Sequence, residues 1–177
     1  VDGPFLPIYV EDKNGVPIVN KTQDIHLKGE EYLTFEVQPF LRVELDDTPM
    51  SSDGVITARV KVDRGVSKDD FKKVLAQTGD YSDSYLNMTD IQLFVSYSSS
   101  CGYRARDERW SNEILYSGKA FETQFGKTIT ITSNPKNPIP SGRKVFIRAA
   151  ARINYDTPAG SGTRRWNYSE VVEVDIP

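Results

Sequence analysis

The sequence is poor in the residues that carry most enzyme, redox and metal chemistry. Its 177 residues include one cysteine, Cys101, and one histidine, His26. A single cysteine excludes an intramolecular disulfide, a Cys-x-x-Cys redox pair and a zinc site built from several thiolates. No run approaches the roughly 20 apolar residues that cross a bilayer. The net charge of −3 provides no global basic field, which argues against nucleic acid as the main partner.

The two residues that could act as base or nucleophile lack the partners that such chemistry needs. His26 lies between Ile25 and Leu27, which form the apolar face of an alternating run, so we expect His26 to point to solvent. Cys101 lies in a polar loop near Arg104, which could lower the pKa of the thiol, but no positioned base accompanies it. We therefore predict no catalytic residue, no cofactor and no enzymatic activity.

A metal site and a glycosidase are also disfavoured by the pattern of acidic residues. Asp80, Asp83 and Asn87 offer oxygen ligands in a loop but lack the ligand spacing and glycine of an EF-hand, so no metal site is predicted. A glycoside hydrolase needs two carboxylates about 5 to 10 Å apart in a cleft, which a sequence does not reveal. Small sandwich domains rarely offer such a cleft, and a hydrolase is therefore the last of the alternatives.

The sequence instead contains short blocks that alternate with period two and are separated by turn-forming residues. In the block 55–62, alternate small and apolar residues face one way, as expected of a half-buried antiparallel strand. The same alternation recurs in 90–97. The predicted strands are 5–10, 24–28, 32–38, 41–44, 55–62, 90–97, 113–116, 128–132, 144–153 and 168–176.

One helix is predicted, from about Ser67 to Gln77. Ser67 is a suitable N-cap, and Asp69 follows where the positive end of the helix dipole favours a carboxylate. Phe71, Val74 and Leu75 form one apolar stripe, which indicates a surface helix packed on a β framework. The chain as a whole is predicted to be all-β with one short helix.

The segment 46–54 combines acids, Pro, Ser and Gly without apolar periodicity, which favours a linker. Residues 1–46 alone are too few to bury a stable core. We therefore predict strands of an incomplete N-terminal domain in 1–46, a linker in 47–53 and a β-sandwich domain in 54–177. The strand count of the last part is typical of an immunoglobulin or fibronectin type III sandwich, and 144–177 resembles the last two fibronectin strands.

Beyond this general likeness, the chain resembles one particular family along most of its length. The resemblance rests on Gly3-Pro4-Phe5, 34–41, 56–62, 90–96, 148–152 and 166–172. The family consists of uncharacterised two-domain lipoproteins of gut Bacteroidetes, classed as a domain of unknown function and found beside SusC/SusD-like outer-membrane glycan importers.

The resemblance implies a fold and a location as well as a role. It implies a transthyretin-like or carboxypeptidase-regulatory-like first domain, here lacking its opening strands, followed by a fibronectin-like second domain. The implied role is non-enzymatic and accessory to polysaccharide capture or import at the cell surface or in the periplasm. The implied partners are a glycan and SusC/SusD-like proteins. A lipid anchor upstream of Val1 is expected from the resemblance, and we favour a removed leader because no signal sequence begins at Val1.

The candidate binding residues come from two loops, 97–110 and 154–167, that flank predicted strands. In the immunoglobulin-like topology we expect both loops to emerge at the same end of the sandwich, where variable domains place their binding loops. Both tryptophans of the chain flank these loops. The predicted ligand-binding residues are Tyr103, Arg104, Arg106, Arg109, Trp110, Tyr155, Asp156, Arg164, Arg165 and Trp166.

These residue types suit a sugar, which offers an apolar ring face and an equator of hydroxyls. Flat aromatic rings can stack on the face, and planar donors or carboxylates can bind the hydroxyls. The alternative for Trp110 and Trp166 is that they pack over the core with arginines stacked on them. A structural, adhesin-like or protein-docking module is the alternative function, since exposed strand edges and arginine loops can also contact another protein.

Overall fold

The alternating block that begins at Val55 forms the longest strand of one sheet, with Ile56, Ala58, Val60 and Val62 all buried. The structure is a computed structural model that describes residues 4–6, 9–11, 13–14, 17–19, 29, 38–76, 81–156 and 164–177. In chain order the strands are β1 (Tyr9–Glu11), β2 (Pro17–Val19), β3 (Leu41–Leu45), β4 (Met50–Ser52), β5 (Val55–Arg64), β6 (Met88–Ser96), β7 (Asn112–Leu115), β8 (Thr128–Thr132), β9 (Arg143–Ile153), β10 (Asn167–Tyr168) and β11 (Val172–Ile176).

Two antiparallel sheets enclose the core. In the first sheet, β3 and β4 lie end to end along one edge of β5, and β8 pairs with the other edge. In the second sheet the order is β7–β6–β9, and β10 and β11 lie end to end along the outer edge of β9. β1 and β2 form a separate antiparallel pair. The predicted all-β sandwich fold with one short helix is thus confirmed, with two sheets enclosing the core.

The core between the sheets is aliphatic, as the period-two pattern predicts. β6 contributes Leu93 and Val95, and β9 contributes Ile147, Ala149 and Ala151, all fully buried. At about 25 cal/mol per Å² of apolar area, burying such side chains is the main source of stability for a chain without disulfides. Because successive strand residues point to opposite faces, the residues between these positions lie on the outer face of the second sheet.

The helix α1 (Lys68–Leu75) begins where the sequence predicts. Ser67 is the N-cap, and its hydroxyl accepts a hydrogen bond from the Asp70 amide at 3.0 Å. Phe71 is fully buried and its ring meets that of Phe40 edge-on at 5.3 Å. The helix therefore closes one end of the sandwich. Its predicted last residue, Gln77, lies outside the described residues.

The segment predicted as a linker holds a strand and a tight turn. Asp53 and Gly54 have φ values of 50° and 75°, the left-handed conformation that a two-residue hairpin turn requires, and they join β4 to β5. A Cβ at Gly54 would lie 2.4 Å from the Ile139 carbonyl oxygen, so glycine is required there for space as well. Since β3 also pairs with β5, the residues on both sides of the segment share one sheet. The domain boundaries themselves stay a prediction.

The last predicted strand, 168–176, is divided in two. Ser169 follows β10, and its hydroxyl accepts the Ala149 amide at 3.0 Å while its own amide donates to the Ala149 carbonyl at 2.9 Å. The side chain thus replaces a backbone acceptor, and regular pairing resumes only at Val172.

Backbone hydrogen bonds and one buried side chain attach residues 4–6 to the sandwich. The Phe40 amide donates to the Pro4 carbonyl at 3.1 Å, and the Leu6 amide donates to the Gln38 carbonyl at 2.9 Å. Asn167 is 1% exposed, its Nδ2 donates to the Pro4 carbonyl at 3.1 Å, and its Oδ1 accepts from the Leu41 amide at 3.1 Å. The Asn167 side chain therefore has a structural role.

Some predictions fall outside the described part of the chain. They are His26, Asp80, the strand 24–28 and most of 32–38. Within the described residues, no helix combines the length and apolar character needed to cross a membrane.

Candidate functional site

The outer face of the second sheet carries a hydrophobic cluster that is separate from the sandwich core. We call it the outer cluster: Phe94, Cys101, Ala150 and Trp166 are buried in it, with Phe146, Tyr168 and Val171 packed against them. Phe94 and Ala150 point outward because their strand neighbours fill the core. The small Ala150 leaves space on the sheet, and Trp166 covers it.

The Tyr103 ring lies against the outer cluster and contacts two of its aromatic side chains, Trp166 and Phe94. The Trp166 ring meets Phe94 edge-on, with centroids 5.6 Å apart, and lies at 27° to the Tyr103 ring with centroids 6.2 Å apart. Trp166 is 5% exposed, whereas Tyr103 is 47% exposed. Tyr103 is thus an accessible ring supported by buried aromatic side chains.

Three arginines surround these rings, and each guanidinium lies over an aromatic face. The guanidinium carbon of Arg152 is 4.0 Å from the Trp166 centroid, that of Arg106 is 4.2 Å from Tyr103, and that of Arg148 is 4.5 Å from Tyr168. A cation over the negative face of a ring is attracted by the ring quadrupole. The stacking holds the planar groups in place on the outer face.

Hydrogen bonds fix one edge of each guanidinium. Arg152 Nε donates to Asp90 Oδ1 at 2.8 Å, Arg148 Nε donates to the Ser169 carbonyl at 2.7 Å, and Arg106 Nη2 donates to Glu108 Oε1 at 2.7 Å. Arg106 Nη1 also donates to the Tyr103 carbonyl.

The Asp90 carboxylate that binds Arg152 is 1% exposed and accepts two further hydrogen bonds from neighbouring polar side chains. Thr89 Oγ1 donates to it at 2.6 Å and Gln92 Nε2 donates at 3.2 Å. Gln92 Nε2 also donates to Glu113 Oε2 at 2.7 Å. This network gives the Arg152 side chain a defined position beside Trp166.

The two predicted loops leave the sheet at opposite ends, which corrects the expectation of a common end. β6 and β9 are antiparallel, with Ser96 opposite Phe146 and Met88 opposite Ile153. The end of β6 therefore lies beside the start of β9. The loops still meet, because the segment after β6 folds back over the outer face and brings Tyr103 to Trp166.

A second aromatic group closes the end of the sandwich near the start of β7. Trp110 is 4% exposed and part of the main core, and the half-exposed Tyr97 meets it edge-on with centroids 4.9 Å apart. The Arg109 guanidinium lies 4.9 Å from the Trp110 centroid.

An ion pair holds Arg109 at this end. Asp107 Oδ2 accepts from Arg109 Nη2 at 2.7 Å, and Asp107 Oδ1 accepts from both the side-chain Nε and the backbone amide of Arg109 at 3.0 Å. The hydrogen bond from Arg109 holds the pKa of the Asp107 carboxyl below its usual value and raises the pKa of Arg109. Both groups are ionised at neutral pH.

The remaining predicted site residues lie elsewhere or on the surface. Tyr155 is 5% exposed and packs in the main core against Phe71. Asp156 and Arg164 form an isolated antiparallel bridge, and Arg164 Nη1 donates to Asn154 Oδ1 at 3.3 Å. Arg104 and Arg165 are exposed.

Both tryptophans are interior side chains, as the packing alternative describes. The exposed rings of the two loops are instead Tyr97 and Tyr103. The sequence-based set also lacks Phe94, Arg148 and Arg152, although their period-two spacing opposite the core residues was a usable signal.

Cys101 has the chemistry of a packing residue. It is 1% exposed, and its Sγ lies 3.5 Å from the Phe94 carbonyl oxygen. Burial raises the pKa of the thiol to about 12, against the opposing effect of the Arg148 charge. The neutral thiol is a poor nucleophile. Among the described residues there is also no group of three or more His, Cys, Asp and Glu side chains suited to a metal ion.

Comparison with known proteins yields solved structures only, since no family model and no curated protein matches the chain. A DUF3823 family protein from Bacteroides uniformis is 56% identical, with a TM-score of 0.87, over 98% of this chain and 71% of that chain. A DUF3823 family protein from Parabacteroides merdae is 14% identical, with a TM-score of 0.52, over 93% of this chain and 64% of that chain.

A third similar structure comes from Bacteroides uniformis and is described as a candidate carbohydrate-binding protein. It is 18% identical, with a TM-score of 0.59, over 95% of this chain and 71% of that chain. At these identities, the second and third likenesses concern the fold alone. The identity and coverage of the first confirm the predicted membership in a Bacteroidetes domain-of-unknown-function family: the chain belongs to the DUF3823 family.

Proposed function

We propose that the protein is a non-enzymatic accessory protein that binds carbohydrate on the outer cluster. One observation carries the proposal: the half-exposed Tyr103 ring lies beside the positioned Arg106 guanidinium, outside the core that the sandwich needs for stability. The description of the Bacteroides uniformis neighbour as a candidate carbohydrate-binding protein supports the same class of ligand.

The chemistry of the outer cluster suits a sugar. An aromatic ring accepts the C–H face of a pyranose, and planar N–H donors bind the hydroxyls at its edge. Tyr103 provides the ring through the part that Arg106 and Trp166 leave exposed, and Arg104 and Arg106 provide donors in the same loop. Trp166 acts in this proposal from beneath, as the buried support of Tyr103. Trp110 and Tyr155 pack in the main core and fall outside the proposed contact surface.

We also propose that the protein lies on the outer-membrane surface and that SusC/SusD-like importers are its partners. The resemblance to lipoproteins found beside SusC/SusD-like importers supports a lipid-anchored protein on the outer-membrane surface that assists polysaccharide capture. Protease treatment of intact cells tests the location: a surface protein is degraded while a periplasmic control protein survives.

Binding is tested by affinity gel electrophoresis of the wild-type protein against a panel of soluble plant, host and bacterial polysaccharides. Retardation by at least one polysaccharide is expected. In Tyr103→Ala we expect roughly fivefold weaker binding to the polysaccharide, since loss of a stacked aromatic costs on the order of 1 kcal/mol. Tyr97→Ala is the matched control, because Tyr97 is 50% exposed but packs on Trp110.

The Tyr97→Ala control distinguishes loss of the binding site from a general effect of removing a half-exposed tyrosine. Retained binding in Tyr97→Ala with loss in Tyr103→Ala supports the outer cluster. Loss of binding in Tyr97→Ala with retained binding in Tyr103→Ala places the site at the end of the sandwich near Trp110. That result overturns its assignment to the outer cluster. Wild-type protein that no polysaccharide retards overturns carbohydrate binding.

A structural or protein-docking role is the second candidate. It is favoured by the burial of both tryptophans, since a sugar-binding protein commonly presents such rings to its ligand. This role is expected to leave the electrophoretic mobility unchanged in every polysaccharide gel.

A further inference from the structure

Charges of both signs share the outer face of the second sheet and the loop that covers it. Among the described residues, the basic side chains there are Arg104, Arg106, Arg148, Arg152 and Lys144, and the acidic ones are Asp90, Glu108, Glu113, Glu170, Glu173 and Asp175. Glu108 pairs with Arg106 and is still 78% exposed. A polyanion on this face therefore meets accessible carboxylates wherever it meets guanidinium groups.

A row of polar side chains crosses this face beside the outer cluster. We call it the polar row: Glu113 on β7, Gln92 and Asp90 on β6, and Arg152 on β9. Glu113 lies opposite Gln92, and Asp90 lies opposite Arg152, so the members of each pair stand on the same face of the sheet. The Arg152 guanidinium stacks on Trp166, which makes the row continuous with the outer cluster.

The internal hydrogen bonds of the polar row leave both donors and acceptors for a ligand. Arg152 donates to Asp90 through Nε, and its two Nη atoms make no hydrogen bond to the part of the chain that the structure describes. Gln92 Nε2 donates to both neighbouring carboxylates, at 3.2 Å to Asp90 and at 2.7 Å to Glu113 Oε2. Because ionised carboxylates only accept, the amide must turn Nε2 toward them, and Gln92 Oε1 remains as an acceptor. Glu113 is exposed, and its Oε1 accepts no hydrogen bond within the described chain.

We propose that the polar row binds the hydroxyl groups of an uncharged polysaccharide whose neighbouring sugar contacts Tyr103. The inference rests on the proposed function, and it names the class of glycan together with the further binding residues Gln92, Glu113 and Arg152. A hydroxyl both donates and accepts, so a run of sugar hydroxyls matches a surface that presents both kinds of group. A carboxylate or sulfate on the sugar only accepts and carries negative charge, so the Glu113 carboxylate and Gln92 Oε1 repel it.

The extent of the polar row favours a polymer over a single sugar. Neighbouring strands lie about 4.8 Å apart, so the row spans roughly 10 Å from β7 to β9. At one end, Tyr103 contacts the same Trp166 ring on which Arg152 stacks. At the other end, Leu115 lies opposite Asp90 and is 68% exposed, which offers an apolar contact for the C–H face of a sugar ring.

The test compares uncharged polysaccharides with carboxylated forms of the same polymers. Galactomannan, xyloglucan and soluble starch are each used before and after oxidation of their primary alcohols to carboxylates, in affinity electrophoresis at 50 and 300 mM NaCl. At the lower salt concentration, we expect at least one uncharged polymer to bind about fivefold more tightly than its carboxylated form. At the higher concentration, the carboxylated form is expected to bind more tightly than before because the repulsion is screened, while binding of the uncharged polymer stays the same.

A methyl ester of the carboxylated polymer is the control for the lost hydroxyl groups. It keeps the oxidised carbon but removes the negative charge. We expect it to regain most of the binding of the uncharged polymer. A methyl ester that binds as weakly as the free carboxylate overturns charge as the basis of the selection.

Matched substitutions locate the effect. Glu113→Gln keeps the shape of the side chain but removes its charge, and we expect about fivefold weaker binding of the uncharged polymer and a smaller preference over its carboxylated form. Arg152→Lys keeps a positive charge beside Asp90 but removes the paired Nη donors, and a similar loss is expected. The control Glu44→Gln changes the net charge equally at an exposed position of β3 in the first sheet, and it is expected to bind like the wild type. Urea unfolding of each variant confirms that it is folded.

The outcomes distinguish this inference from the proposed function. Equal binding of charged and uncharged forms overturns the selection but keeps carbohydrate binding. Wild-type binding in Glu113→Gln and Arg152→Lys, with loss in Tyr103→Ala, overturns the polar row and keeps the outer cluster as the site. Equal loss in Glu44→Gln and Glu113→Gln shows a non-specific charge effect and overturns the row as well. Failure of every polymer to retard the wild-type protein overturns both proposals.

Discussion

The two faces of the second sheet are built from the same strands but from different chemistry. On the inner face, β6 and β9 present Leu93, Val95, Ile147 and other aliphatic side chains to the first sheet. On the outer face, the intervening positions carry Phe94 and arginines, covered by aromatic side chains from the connecting segments. Only the inner face joins the two sheets, so the packing of the sheets on each other does not dictate the aromatic and charged composition of the outer face.

The difference between the two faces shows which surface of the second sheet is available to bind a ligand. The inner face is closed by the first sheet, and its aliphatic groups can bind nothing else. The outer face ends in an accessible tyrosine and in guanidinium groups whose positions are set by stacking and hydrogen bonds. Binding residues held on a rigid sheet keep their geometry better than residues on an unsupported loop.

The largest expected effects come from truncating neighbouring residues on opposite faces of β6. Leu93→Ala and Phe94→Ala are each expected to lower the free energy of unfolding by about 3 kcal/mol, because both side chains are fully buried and leave cavities. Urea unfolding followed by fluorescence measures the change. Only Phe94→Ala is expected to reduce polysaccharide binding, since Phe94 supports Trp166 and contacts Tyr103 at 6.3 Å between centroids.

The same two variants test whether the outer cluster is packed as tightly as the inner face. A loss below about 1 kcal/mol in Phe94→Ala, with the full loss in Leu93→Ala, means that the outer face is a mobile cover instead of a second packed cluster. Equal loss of binding in both variants means that binding depends on global stability and not on the outer face.

A smaller effect is expected from the ion pair beneath Trp166. Arg152→Met removes the partner of Asp90, whose carboxylate is 1% exposed, and is expected to cost about 2 kcal/mol because a charge is left buried. The double variant Asp90→Asn with Arg152→Met is expected to regain part of that loss. Thermal or urea unfolding of the three proteins and the wild type measures the coupling. A double variant less stable than the sum of the single losses contradicts this account.

Much of the fold was predictable from local patterns. The alternation in 55–62 identified the inner face of β5, 128–132 matches β8, and Ser67 caps the helix as its sequence context suggests. These features depend on side chains only a few residues apart in the sequence. Hydrophobic periodicity and helix capping act over the same short distance, so the sequence alone predicts them. The Asp53–Gly54 turn had an equally local signal, since Asp-Gly is a strong hairpin dipeptide, but the composition around it favours a linker.

The candidate site was predictable only in part, because it depends on long-range pairing. Tyr103, Arg106 and Trp166 do meet, but the reason is the path of the loop after β6 and not a common end of the sandwich. The two loops leave opposite ends of the sheet because β6 and β9 are neighbouring antiparallel strands. The spacing of Arg148 and Arg152 indicates an outward face, whereas only the tertiary structure reveals that aromatic rings cover it.

The smallest effect at neutral pH is expected from Cys101, which tests how tightly the outer cluster is closed. Because burial raises the thiol pKa to about 12, the native protein at pH 8 is expected to react with a thiol reagent far more slowly than the urea-unfolded protein. Above the unfolded thiol pKa of about 8.5, the unfolded state releases a proton that the native state keeps. This group's contribution to stability is therefore complete below pH 8.5 and is lost as the pH rises toward 12.

Two measurements check this last expectation: labelling rates in native and unfolded protein, and urea unfolding between pH 7 and 11. Cys101→Ala is the control, since it removes the titrating group while keeping a small apolar side chain, and its stability is expected to fall less steeply over that range. Rapid labelling of the native wild-type protein would mean that the residues over Phe94 open readily. The outer face would then differ from the inner face in rigidity as well as in chemistry, and Tyr103 would lack the fixed support that the proposed sugar site needs.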